Sequence, residues 1–369
     1  MMLNASYTNG SFSNSSLHLE NALTQSNSTC ALSESLKRIL YFQPIYMWIV
    51  FVLGFVENMF VLLVFLLHKK RSTVAEIYLG NLAAADLLLV CGLPFWAINI
   101  SSNFHWPFGS FLCVFLNGLI LLNLNGSIYF LMMVSIDRYL ALVKTMSFGR
   151  MRSVRCAKIN CLIIWAFAVI ASLPKTIFRR IRYFPEFDVM ACIIDPPSPH
   201  WNVVSGLLLT LVGFFIPVTV ILYCTFHITK VLRNNSMQEF KEVNKEKKAS
   251  VLVLVVLLVF IICWLPFHVT TFIDTFHMLN LFDGCALVNF VEIASQISTY
   301  LGYSNSCINP LLYVMVGNHF RKKTKEVYNQ FRIRRQRGRN ASIPTDFTAD
   351  TIRTSISMGP QKNRILLRA

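Results

Sequence analysis

Charged residues are scarce in this chain. They make up 14% of its 369 residues, where a water-soluble chain carries about 25%. Together with a 54% hydrophobic content and a mean hydropathy of +0.52, that shortage excludes a disordered polymer and argues against soluble domains. Other absences narrow the field further. The ten cysteines stand singly, with no C-x-x-C pair and no histidine cluster at zinc spacing, so no structural metal is expected. There is no nucleophile elbow, no phosphate-cradling glycine loop and no paired catalytic carboxylates, so no catalytic residue is assigned and no enzyme is expected. Met1–Asn9 lacks a basic region followed by an apolar stretch, so no cleaved signal peptide is expected.

What is present is a series of long apolar runs. Seven of them, near 43–67, 77–100, 110–143, 157–177, 201–232, 249–276 and 289–316, are long enough to cross a hydrocarbon core of about 30 Å as helices. Pro94, Pro174, Pro217, Pro266 and Pro310 fall inside or at the ends of these runs. Proline frees backbone groups that neighbouring helices must satisfy, which suits a packed bundle. The expected fold is an all-α membrane protein, a seven-transmembrane helix bundle over 41–316.

Lysine and arginine give the orientation. Counting loops and tails alternately, 28 of the 34 fall on one side and 6 on the other; the basic side is cytoplasmic. The 1–40 tail then lies outside, and it carries four N-x-[S/T] sequons, at Asn4, Asn9, Asn14 and Asn27. The net charge of +16 is therefore mostly juxtamembrane, facing anionic lipids and cytosolic partners rather than nucleic acid. After the last run, residues 317–331 place Phe320, Val327, Tyr328 and Phe331 on one helical face, predicting a short amphipathic helix on the inner leaflet. Residues 332–369 read as a disordered cytoplasmic regulatory tail, with Ser342, Thr345, Thr348, Thr351, Thr354, Ser355 and Ser357 as phosphorylation candidates.

Polar residues within the runs need a reason. Asp86 sits midway along the second run, and Asn58, Asn123, Ser127, Asn305, Ser306 and Asn309 lie at comparable depths. A carboxylate ringed by amides and hydroxyls suits a sodium ion, as oxygen ligands suit hard cations. A protonated Asp in a structural network fits the spacing equally well. Asp137-Arg138-Tyr139 closes the third run, Cys263-Trp264-Leu265-Pro266-Phe267 lies in the sixth, and Asn309-Pro310-Leu311-Leu312-Tyr313 ends the seventh. Each is a weak signal alone, and the first reads equally as a snorkelling pair; in this order, on three separate runs, they are specific.

On these motifs the chain resembles the rhodopsin-like G-protein-coupled receptors over residues 40–331. The resemblance implies that Asp137, Arg138, Tyr139, Asn309, Pro310 and Tyr313 form the G-protein-facing switch, with Trp264 and Pro266 as the pivot of the sixth span. It implies a sodium pocket of Asp86, Asn123, Ser127, Asn305 and Asn309, and a disulfide between Cys113 and Cys192. The strings Ser72–Asp86, Leu232–Lys241 and Thr351–Ser357 narrow the resemblance to the bradykinin receptors, the last two to the type-2 kind. That family implies a second bridge, Cys30 to Cys285.

The expected outer rim is acidic independently of any family. From Asp274 to Glu292 there are three acids, Asp283 included, and no Lys or Arg, and Glu186, Asp188 and Asp195 lie in the second outside loop. Such a mouth attracts cationic ligands, though a solvated loop of ordinary charge would read alike. Kinin peptides carry arginine at both ends. The resemblance implies that Asp274 and Glu292 receive the first, that Arg179 sits near the peptide's carboxylate, and that Trp96, Asn117 and Leu121 line the pocket. Arg179 could equally snorkel at the interface. Leu121 and Asn125 depart from the mammalian pattern and point to a non-mammalian member tuned to a variant peptide such as ornithokinin. No Cys follows residue 307, so the palmitoyl anchor of many relatives is absent.

The expected function is a plasma-membrane receptor for kinin peptides that activates a Gq-class G protein, phospholipase C and calcium release, with arrestin and receptor kinases as further partners. An amine receptor would need an acid near Ile120, and an opsin a lysine within 289–316; neither is there. An angiotensin- or chemokine-like peptide receptor would differ only in ligand. A transporter would need inverted repeats or a charge-lined path, which are not seen.

Overall fold

A computed structural model describes residues 34–69, 72–143, 153–185, 187–234, 241–278, 285–316 and 318–341. The first four long helices are Glu34–Leu67, Val74–Ser101, Gly109–Leu142 and Val154–Thr176. A hairpin follows, β1 (Arg179–Phe184) and β2 (Val189–Ile194), paired antiparallel with Arg179 opposite Ile194. The fifth span is continuous but made of three pieces, Pro199–Thr210, a π-helical turn Leu211–Phe215, and Ile216–Asn234. The sixth is Lys241–Met278 and the seventh Cys285–Val316. A further helix, Asn318–Ala341, comes after it.

Six of these helices are long and apolar enough to cross a membrane by length and composition. The seventh carries Asn289, Glu292, Gln296, Asn305 and Asn309 among its apolar residues, which dilutes its hydropathy. Their outer surfaces are strongly apolar. Leu66, Phe111, Leu162, Ile170 and Phe226 are each more than 60% exposed, a distribution that only a lipid solvent makes favourable. The second and third spans bury 61% of their most apolar window and the first and fourth 28%, so the former lie at the centre and the latter on the rim. The third span touches the second, fourth, fifth and sixth as well as β1, and the seventh closes the ring against the first.

Local chemistry sets several of the ends. Thr73 caps the second span, its hydroxyl accepting from the Glu76 amide at 3.3 Å while the Thr73 amide donates to the Glu76 carboxylate at 2.7 Å. Ser153 caps the fourth span through the Cys156 amide. Before the third span, the chain turns through Asn103, Phe104 and Gly109, all with positive φ.

The helix after the seventh span runs to Ala341, beyond the expected end at Phe331. Arg332, Arg334, Arg335, Gln336 and Arg337 are good helix formers, so nothing local stops it at Phe331. Phe320 and Val327 are buried on its inward face; Tyr328 and Phe331 are exposed. Phe320 wedges between Phe60 and Phe65 of the first span, 6.0 and 5.6 Å between ring centres. Lys323 donates to the Glu76 carboxylate at 2.7 Å, both side chains being under 10% exposed, and His68 meets Glu326 at 3.1 Å.

Candidate functional site

Midway through the bundle, Asp86 is fully buried and accepts three side-chain hydrogen bonds. Asn123 and Ser306 donate to Oδ1, each at 2.9 Å, and Asn309 to Oδ2 at 3.0 Å. Asn123 also donates to the Ser127 hydroxyl at 3.2 Å, so Ser127 stands one step from the carboxylate. Asn305 makes no side-chain hydrogen bond to a described residue, with both amide atoms buried. Ser306 and Asn309 of the seventh span both bond to Asp86, whereas Asn305, on the residue before Ser306, does not. Asn58 joins the network through the Ser306 carbonyl at 2.8 Å and the Gly54 carbonyl at 2.9 Å. The amide oxygens of Asn123, Asn305 and Asn309 are buried without partners among the described residues. Acceptor oxygens left over around a carboxylate are the donor set a sodium ion takes, so the residues present fit that ion.

One layer toward the hairpin, Trp264 is buried between Phe260 and Phe267. Its indole lies so close to the seventh span that a Cβ at Gly302 would meet the ring at 2.8 Å. The absence of a side chain there is what lets the sixth and seventh spans close on the tryptophan. Asn125 donates to the Leu121 carbonyl at 2.9 Å, and its Oδ1 lies 2.9 Å from where a Cβ on Gly213 would be. It therefore packs on the π-helical turn of the fifth span, and Leu121, one turn away, is buried beside it.

At the hairpin end, Cys113 is bonded to Cys192, joining the top of the third span to β2. Trp106, which belongs to none of the motifs above, ties this end together. Its amide donates to Met190 in β2 at 2.7 Å, its indole N–H to Gly109 at 3.0 Å, and its ring packs 5.0 Å from Trp96. The signal was a pair of aromatics, Trp106 and Phe108, in the short loop His105–Gly109. Asn117 donates to the Cys113 carbonyl at 2.7 Å and reaches the Cys192 sulfur at 3.5 Å, so its amide group braces the disulfide. In β1 the side chains alternate, Arg179 buried and Arg180 exposed. Arg180 pairs with Asp195 at 3.1 Å. Tyr183 donates to Asp188 at 2.7 Å, and that carboxylate pushes the Tyr183 hydroxyl above its ordinary pKa. Two of the acids of the rim are thus engaged within the hairpin itself. Asp274 stands near the end of the sixth span and Glu292 near the start of the seventh. Burial lowers the Arg179 guanidinium to about 10, which still leaves it cationic at neutral pH. Glu186, Asp283, Asn4, Asn9, Asn14, Asn27, Cys30 and the seven tail hydroxyls lie outside the described residues, as does the Tyr313 side chain.

At the opposite end, Arg138 forms a double contact to the Asp137 carboxylate, 2.6 Å from Nη2 and 3.1 Å from Nε, with both residues buried. Tyr139 packs 5.9 Å from both Tyr223 and His227 of the fifth span. Asn309 and Pro310 of the seventh span are buried in the bundle.

A disulfide-tied hairpin at one end, a paired Asp-Arg at the other, and a buried polar layer between them are the marks of one protein class. The model of the seven-transmembrane receptors of the rhodopsin family matches residues 57–313. The B2 bradykinin receptor of Homo sapiens is 52% identical over 346 residues, 93% of this chain and 88% of that receptor. That of Rattus norvegicus is 52% identical over 88% of this chain and 82% of its own. The B1 bradykinin receptor of Macaca mulatta is 38% identical over 75% and 79%. The chain belongs to the bradykinin receptors of the rhodopsin family, and is type-2-like. It is thus a multi-pass membrane receptor and not an enzyme.

Proposed function

We propose that this receptor binds a kinin peptide at the hairpin end, which faces outward, and signals through a Gq-class G protein to phospholipase C and calcium. The observation that carries the reading is the sorting of charge at the hairpin end of the bundle. Asp274 and Glu292 stand on the sixth and seventh spans, and Arg179 is turned inward from β1. A peptide with a cationic N-terminus and a C-terminal carboxylate complements that arrangement end for end. Trp96, Asn117 and Leu121 shape the wall, the first two through the Trp106 and disulfide contacts. The departures at Leu121 and Asn125 favour a variant peptide such as ornithokinin.

In this reading the sixth span moves outward about Trp264 and Pro266 when peptide binds, and the Asp137–Arg138 pair gives way to a G protein. Sodium, when bound, would be held by Asp86 with the amide oxygens of Asn123, Asn305 and Asn309 and would favour the unliganded arrangement. Phosphorylation of the 342–357 hydroxyls would recruit arrestin, the sequons of the outer tail would carry glycans, and Cys30 would bridge to Cys285. The test is intracellular calcium in cells displaying the chain, titrated with bradykinin, ornithokinin and angiotensin. A kinin response abolished by a Gq inhibitor is expected. Silence to both kinins with receptor at the surface would overturn the ligand, and a response to angiotensin would replace it.

A further inference from the structure

The helix after the seventh span, Asn318–Ala341, has two parts of different chemistry. The first part is tied to the bundle. Phe320 and Val327 are buried, Lys323 pairs with Glu76 and Glu326 with His68. From Tyr328 the helix runs on to Ala341, about 21 Å at roughly 1.5 Å per residue. Phe331 lies one turn after Val327 and so continues its face, yet Phe331 is 50% exposed and Tyr328 66%.

This second part is cationic with no acid of its own. Between Glu326 and Asp346 the sequence holds Arg332, Arg334, Arg335, Arg337 and Arg339 and no Asp, Glu or Lys. Arg332 and Arg334 are exposed. Arg332 and Arg335, Arg334 and Arg337, and Arg335 and Arg339 stand three or four residues apart, spacings at which like charges destabilise a helix. A helix that nevertheless continues through them calls for anions from outside the chain. All five cations are arginine, whose planar guanidinium meets a phosphate through two parallel hydrogen bonds, where lysine offers a point charge. The apolar residues point to a surface rather than a groove. A helix bound in a protein groove is anchored along its whole length at helical spacing, whereas here the exposed rings of Tyr328 and Phe331 come first and nothing apolar stands between Ile333 and Ala341 except Gly338. Aromatic rings beside a basic stretch suit the headgroup layer of a membrane.

We infer that Tyr328–Ala341 docks on the inner leaflet and holds polyphosphorylated lipid headgroups, of the phosphoinositide class, with its arginines. The inference rests on the hairpin end facing outward, which leaves this helix on the cytoplasmic side, where anionic lipids gather. Five guanidinium groups on about 12 Å of helix meet several phosphates at once on such a headgroup, and one negative charge at a time on a singly charged lipid. Tyr328 and Phe331 enter the headgroup layer, and the Lys323–Glu76 and His68–Glu326 pairs give the helix a fixed start.

The experiment is hydrogen exchange on the full receptor in nanodiscs of three compositions. One is phosphatidylcholine alone, one adds phosphatidylserine, and one adds phosphatidylinositol bisphosphate to the same surface charge. Nanodiscs present the same lipids on both faces, so the outcome is independent of orientation, and a failed calcium response to kinins would leave it standing. Amides 328–341 should exchange at least about tenfold more slowly with the phosphoinositide than with phosphatidylcholine, and phosphatidylserine should give a smaller effect. Amides 318–327 are the internal reference. Changing all five residues together, Arg332→Lys, Arg334→Lys, Arg335→Lys, Arg337→Lys and Arg339→Lys, should keep the phosphatidylserine effect and lose most of the extra protection by the phosphoinositide. The same five changed to Gln should lose both, although the three residue types have similar helix propensity. Equal exchange in the three discs, or protection that survives the Gln replacement, would overturn the docking. Equal protection by the two anionic lipids would overturn the phosphoinositide assignment. Protection by calcium-loaded calmodulin in phosphatidylcholine discs, with none from the phosphoinositide, would replace the membrane by an acidic protein groove.

Discussion

At the scale of single residues, the bundle is most demanding where glycine admits a larger neighbour. Gly302 faces the Trp264 ring, and an added methyl would sit 2.8 Å from it. Either the tryptophan turns or the sixth and seventh spans part. Gly302→Ala should destabilise the purified receptor by about 1–3 kcal/mol, read as a lower thermal midpoint, and should change basal signalling because the ring it displaces is the proposed pivot. A midpoint and basal level both equal to those of the parent would show that the contact is slack. The acids of the rim make a second prediction. Replacing Asp274 and Glu292 together by Ala should weaken a kinin bearing an N-terminal arginine far more than the same peptide without it, by upwards of tenfold. Equal losses for the two peptides would sink the assigned roles.

At the scale of elements, the helix after the seventh span shows what sequence reading reaches and where it stops. Its existence follows from a local pattern, apolar Phe320 and Val327 at helical spacing among basic residues. Its anchorage does not, because Lys323 and Glu76 are 247 positions apart and nothing local pairs them. The same division holds elsewhere. Seven spans and a central buried carboxylate are legible because lipid forces long apolar runs and makes each interior polar group conspicuous. Which of Asn305 and Ser306 touches Asp86 depends on how the seventh span is rotated against the second. The π-helical turn at Leu211–Phe215 likewise answers to packing against Asn125 and has no composition of its own. The anchorage is testable. The Lys323–Glu76 and His68–Glu326 pairs and the Phe320 wedge hold this helix to the first two spans. Lys323→Met would take the lysine away from the buried Glu76 carboxylate, at a local cost on the order of 3 kcal/mol. Hydrogen exchange of amides 318–327 should therefore speed up by at least tenfold, while the paired replacement Glu76→Gln with Lys323→Met should recover part of the protection. Unchanged exchange in the single variant would mean that the aromatic wedge and the His68–Glu326 pair suffice.

At the scale of the whole molecule, the proposed function couples the two ends through one equilibrium. The disulfide-tied hairpin positions Arg179, the third span carries Asn117, Leu121 and Asn123 past the polar layer, and the same helix ends in the Asp137–Arg138 pair. A ligand at one end changes the other only by its differing affinity for the two arrangements of this bundle, and the coupling is reciprocal. Breaking the Asp137–Arg138 contact from below must then act on the peptide above. In Asp137→Asn the Arg138 guanidinium loses a charged partner at 2.6 Å and the arrangement that holds this pair loses stability. If basal calcium signalling rises, bradykinin affinity should rise with it by up to about tenfold, because a larger fraction of receptors already holds the binding-competent form. The measurement is competition binding without G protein, paired with basal inositol phosphate in the same cells at matched surface density. A higher basal output with unchanged peptide affinity would separate the two ends, and would place the Asp137–Arg138 pair in G-protein contact alone rather than in the shared equilibrium.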